Sequence, residues 1–150
     1  MSALDFAPSG FAGGCSKSYA YVTASAPGLI VRSENGVVTI DLDGDGKEQT
    51  GWVLLYLHIA EAGRIPAGTW VETGDRLGHP SCEGGRSTGT HVHMARKYNG
   101  EWMTANGPIP FVLSGWEAHA GSRPYLGTLT KGNQVVTASS FSAAGSSIRH

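Results

Sequence analysis

Charge is what this 150-residue sequence has least of: Asp, Glu, Lys and Arg make up 15% of it, against about 25% in an ordinary soluble domain. Eleven basic and twelve acidic side chains leave a net charge of -1, so there is no basic footprint for nucleic acid. No apolar run approaches the roughly 18 residues that mark a membrane span. The two cysteines, Cys15 and Cys82, form no C-x-x-C pair, which excludes a zinc ribbon or a thioredoxin-like site. No H-E-x-x-H motif occurs, so the helical zinc-protease arrangement is excluded as well. A sustained apolar stripe of helical period is also absent. Met1-Ser2-Ala3-Leu4-Asp5 carries neither a basic n-region nor an apolar h-region, so no signal peptide is visible in the chain.

What is present is glycine, 22 residues with seven prolines, punctuating short β-branched runs every 8–15 residues. That pattern predicts an all-β domain of antiparallel strands. Strands are expected over 19–25, 29–32, 37–42 and 52–59, the last being the most apolar and hence central. Asn35-Gly36 and Asn99-Gly100 are type I′ turn signals and predict two hairpins. Thr73-Gly74-Asp75 marks another turn, between Trp70-Val71 and Arg76-Leu77-Gly78. A single domain over 1–130 is expected, followed by a Ser-rich mobile tail over 131–150. The low charge and the two cysteines predict an exported chain with a Cys15–Cys82 disulfide, two unrelated buried thiols being the alternative.

Three placements carry chemistry. His91 and His93 are two residues apart on a predicted strand, so both imidazoles face one side while Val92 and Met94 face the core. Such a pair can converge on a metal or divide ligand and acid/base roles; two surface histidines are the plain alternative. Tyr56-Leu57-His58 closes the most apolar strand, and alternation puts Tyr56 and His58 on a common face. Asp5 sits between Leu4 and Phe6, a carboxylate in an apolar stretch, where such groups are paired, capped or bound to metal.

Taken together, Asp5-Phe6, Tyr56-x-His58 and Ser87-Thr88-Gly89-Thr90-His91-Val92-His93 resemble the lysostaphin/LytM-type zinc endopeptidases, and Ala67–Gly78 resembles that family's v-x-x-G-D-x-l-G hairpin. The resemblance covers roughly residues 3–105. It implies an all-β fold in which an antiparallel sheet forms a groove, and a zinc-dependent hydrolase of peptide bonds in bacterial peptidoglycan. It further implies Asp5 and His93 as metal ligands and His58 and His91 as the catalytic pair. Peptidoglycan peptides would be the partner, and a secreted or cell-envelope location would follow. The other reading is a degenerate LytM-like domain that binds cell wall or a partner without cleaving.

A catalytic zinc keeps three protein ligands and one open position. The family's third ligand is a histidine upstream of the Asp, commonly four residues before it, where this chain has Met1, a poor zinc ligand. The expectation is therefore a chain that begins too late, with a complete but weakened enzyme as the alternative. His79, His119 and His150 occupy no family ligand position. Asp41-Leu42-Asp43-Gly44-Asp45-Gly46 mimics the opening of a calcium loop, but Trp52 stands where an EF-hand needs its bidentate Glu, so a polar turn is expected, with a non-EF calcium site that would stabilise an adhesion module as the alternative. Ser81-Cys82-Glu83-Gly84-Gly85-Arg86 is no phosphate cradle and is expected to shape the groove. The four tryptophans are expected in the core.

Overall fold

The computed structural model describes residues 3–9, 13–140 and 143–148. The chain falls into two compact units, one spanning Ala3–Trp102 and the other running from Met103 onward. The fold is all-β and antiparallel, as expected from the sequence. Among the described residues the one helical turn is a 3-10 turn at Ala144–Ser146, and no helix is long and apolar enough to cross a membrane.

The first unit carries nine strands: β1 Ala3–Phe6, β2 Val22–Thr23, β3 Gly28–Glu34, β4 Val37–Asp41, β5 Trp52–Leu57, β6 Trp70–Val71, β7 Arg76–Gly78, β8 Val92–Tyr98 and β9 Glu101–Trp102. Its main sheet runs β1-β8-β5-β4-β3-β6, with β9 hydrogen-bonded to β8, while β2 and β7 form a separate pair. Both Asn-Gly hairpins form. Asn35 and Gly36 adopt φ 48° and 74°, and Asn99 and Gly100 adopt 48° and 81°, the left-handed pair that a type I′ turn requires. Trp52–Leu57 is interior, as its apolarity predicted. The segments flanking Thr73-Gly74-Asp75 do not pair with each other; β6 adds to β3 and β7 to β2. The strand expected over 19–25 shrinks to Val22–Thr23, and Tyr19 and Tyr21 are exposed.

One face of the main sheet is core: Val38, Ile40, Tyr56 and Met94 are buried there with Ile30 of β3. Residues opposed in the ladder share a face, so the register Asp5↔His93↔Leu57 and Ala3↔Ala95↔Leu55 fixes the other one. Of the tryptophans only Trp116 is fully buried, while Trp70 and Trp102 are half-exposed. Trp52 packs its ring 4.9 Å from Tyr98 instead.

The second unit is a four-stranded sheet, β10 Val112–Leu113, β11 Trp116–Ala120, β12 Gly127–Lys131 and β13 Gln134–Thr137, in that order. The tail expected over 131–150 therefore begins with an ordered strand. Gly132-Asn133 is a two-residue hairpin turn between Lys131 and Gln134, and the alternation around it is weak because β13 is exposed on nearly all its positions.

Candidate metal centre

β5 ends at Leu57, and His58 then takes φ 68°, a left-handed conformation uncommon for a residue other than glycine. This breaks the alternation expected from Tyr56-x-His58. Tyr56 stays on the core face, where its hydroxyl accepts from the Ser25 amide at 2.9 Å and lies 3.0 Å from Ser25 Oγ. Burial pushes its phenol up from the ordinary value, against these hydrogen bonds. His58 swings out of the ladder instead, and its ring centre lies 4.5 Å from that of His91.

His58 is held at both ends by one tripeptide. Its carbonyl accepts from the Ser81 amide at 2.7 Å and from Ser81 Oγ at 3.0 Å. Its Nδ1–H donates to the Glu83 carbonyl at 2.7 Å, and because a carbonyl only accepts, this fixes the tautomer and leaves Nε2 unprotonated. The residue is 3% exposed. Burial pulls its pKa below the ordinary histidine value, with the Glu83 hydrogen bond opposing and the neighbouring His91 adding to the shift.

His91 and His93 do share a side, as their spacing predicted. His93 Nδ1 is 2.8 Å from Asp5 Oδ1, and His91 Nε2 is 3.8 Å from the same oxygen. The cause is register: β1 is an edge strand lying antiparallel against β8, with Asp5 directly opposite His93. His91 Nδ1–H donates to the Gly89 carbonyl at 2.8 Å; Ser87 Oγ also donates to that carbonyl, at 2.7 Å. Its Nε2 therefore lies on the Asp5 side. One carboxylate and one imidazole thus converge, with two further imidazoles beside them. Nitrogen and oxygen donors of this kind suit zinc better than calcium or magnesium.

Cys15 and Cys82 are joined in a disulfide. On its Cys15 side, the Gly14 carbonyl accepts from the Thr90 amide at 2.9 Å and the Ser16 carbonyl from Thr90 Oγ1. On its Cys82 side lie Ser81 and Glu83. Gly36 and Gly84 let the β3–β4 turn and this loop touch backbone to backbone, since a Cβ on either would meet main-chain atoms of the other segment. The sequence pointed to 81–86 as a Gly-rich loop shaping the groove; that Ser81 and Glu83 hold His58 had no local signal beyond the neighbouring cysteine.

The remaining candidates lie elsewhere. His79 Nδ1–H donates to the Ala20 carbonyl and its ring rests on Tyr21. His119 Nε2 pairs with Thr130 Oγ1 in the second unit. Met1 and His150 lie outside the described residues. Among the described residues, one set of three acidic or metal-binding side chains brings its donor atoms within 4.8 Å of one another: Asp41, Asp43 and Asp45. Those carboxylates already cap their own turn, Asp41 Oδ2 accepting from Gly46 N at 2.8 Å and Asp45 Oδ2 from Thr50 Oγ1 at 2.6 Å. A hydrogen bond to Asp41 raises the Asp43 pKa, as crowded carboxylates do. The loop is a turn whose carboxylates serve its own backbone and still stand close enough together to hold a metal ion.

An antiparallel β-sheet that brings Asp5 and His93 together on the β1–β8 pair, with His91 beside them, is an arrangement suited to holding a metal. A scan against protein-family models finds no match. The chain is 30% identical over 132 residues, 83% of its length, to the beta-lytic metalloendopeptidase of Achromobacter lyticus. It spans about a third of that relative, 32% of its length. The fold matches the solved structure of pseudoalterin, a deep-sea M23 metalloprotease, with a TM-score of 0.71 and 23% identity over 91% of this chain and 79% of that one. A metalloendopeptidase similar in sequence and an M23 metalloprotease similar in fold together support a LytM-type M23 kinship for the chain.

Proposed function

We propose that this chain is a zinc metalloendopeptidase that hydrolyses peptide bonds in bacterial peptidoglycan. The observation that carries the reading is the convergence of Asp5 Oδ1 and His93 Nδ1 at 2.8 Å beside two imidazoles whose Nδ1–H groups are committed to backbone carbonyls. Asp5 and His93 would hold the ion; the third, histidine ligand of a catalytic zinc has no counterpart beside them among the described residues. When bound, zinc supplies a Lewis acid and brings the pKa of a coordinated water to about 7. His58 and His91 present Nε2 as the free ring nitrogen. The lowered pKa of His58 keeps it neutral at pH 7, so it accepts a proton from the attacking water. His91, beside Asp5, would orient that water through Nε2, and the proton taken up by His58 would pass to the leaving amine. The disulfide supports an oxidising location, secreted or in the cell envelope.

Calorimetry with zinc on the chelator-stripped chain, paired with digestion of purified peptidoglycan, tests this. One zinc per chain is expected, at nanomolar strength only if a third ligand completes Asp5 and His93. Asp5→Asn or His93→Ala should weaken binding, and His91→Ala should abolish cleavage, by at least about 100-fold, while zinc still binds. Binding no tighter than micromolar, with intact peptidoglycan, would favour the degenerate binding module.

A further inference from the structure

Both histidines of the proposed catalytic pair owe their tautomer to a backbone carbonyl, Glu83 for His58 and Gly89 for His91. Neither carbonyl lies in a regular strand, so something else must hold it. Glu83 follows Cys82 directly, and its amide donates to Ser81 Oγ at 3.0 Å while Ser81 donates to the His58 carbonyl. Gly89, whose carbonyl also accepts from Ser87 Oγ at 2.7 Å, precedes Thr90, which is gripped by the Gly14 and Ser16 carbonyls on either side of Cys15. The two grips are thus the two ends of a single cystine.

We propose that the Cys15–Cys82 disulfide is a positioning element for both histidines. By anchoring the Glu83 carbonyl through one half and the Gly89–Thr90 segment through the other, it keeps His58 and His91 as Nδ1–H tautomers with Nε2 turned to the reacting groups. A disulfide that merely shortens the unfolded chain would stabilise the fold without selecting a tautomer. A positioning pair selects one, because an imidazole released from its carbonyl can place its proton on either nitrogen. The link to catalysis rests on the peptidase reading above; the tautomers do not.

The test is nitrogen-15 NMR of the histidine rings of the full chain above pH 8, with and without one equivalent of zinc. In the native chain His58 and His91 should both read as Nδ1–H. The double variant Cys15→Ser/Cys82→Ser should turn both into tautomer mixtures while His119, in the second unit, keeps its signal. Two further variants leave the disulfide intact and separate the arms. Ser81→Ala should move His58 alone, and Thr90→Val should move His91 alone. Each should lower kcat by about 10–100-fold with KM little changed. If the double variant loses the His119 signal through unfolding, the single-arm variants decide. Unchanged tautomers in all the variants, or Nε2–H rings in the native chain, overturn the proposal. Expected tautomers in a chain that cleaves nothing would sink the peptidase reading and leave this one standing.

Discussion

The fate of two neighbours in the sequence, Tyr56 and His58, is decided at one backbone angle. With φ 68° at His58, the tyrosine remains in the core and the histidine comes to lie against His91. Tyr56→Phe should therefore cost about 1–2 kcal/mol in urea denaturation, because it strips a partner from the part-buried Ser25 amide, and should leave zinc affinity untouched. A loss of zinc binding would return Tyr56 to the groove. His58 makes a second, pH-dependent contribution. Its folded pKa is lowered, so between that value and about 6.5 the unfolded chain binds more protons than the folded one. Stability from His58 is thus complete above about pH 6.5 and is lost as pH falls toward the folded pKa. Unfolding free energies measured from pH 7.5 to 5 should fall more steeply in the native chain than in His58→Asn, where asparagine tolerates the left-handed backbone. Equal slopes would contradict a histidine held neutral by burial.

Among the elements, the hairpins at Asn35-Gly36 and Asn99-Gly100 and the interior Trp52–Leu57 strand were legible because turn chemistry and apolarity are local properties. The alternation that put His91 and His93 on one side was legible for the same reason. Asp5 beside His93 was legible only through the family resemblance, since register between β1 and β8 depends on residues 88 positions apart. The strand at Gln134–Thr137 was missed although Gly132-Asn133 announced a turn, because its faces are nearly equally exposed and carry no pattern to read. The contact of the Asn35-Gly36 turn with Glu83-Gly84 was invisible too, yet it supports the centre. A Cβ on Gly36 would lie 2.7 Å from the Glu83 carbonyl atoms, whereas one on Gly74, also at positive φ, meets nothing within 4 Å. Gly74→Ala should cost only the conformational term, about 1–2 kcal/mol. Gly36→Ala should cost more and should also depress kcat, because the displaced Glu83 carbonyl is the one holding His58. Equal losses of stability with no change in turnover would mean that the loop yields without disturbing the histidine.

At the scale of the whole chain, the centre, its disulfide and the loops that hold its histidines all lie within Ala3–Trp102. A ligand that binds only the folded centre stabilises by mass action, about 4 kcal/mol at a thousandfold excess over Kd. That energy is felt by the residues whose unfolding releases the ligand. Zinc should therefore slow amide hydrogen exchange across β5 and β8 and leave the β11–β12 amides unchanged. Calcium at the same concentration should protect neither set, because Asp41, Asp43 and Asp45 already serve the backbone of their own turn. Protection by calcium around Asp41–Gly46 would overturn that assignment and make the acidic loop a cation site. Equal protection of both sheets by zinc would show that the two units unfold as one, and the cost of releasing the ion would then be shared by the entire chain.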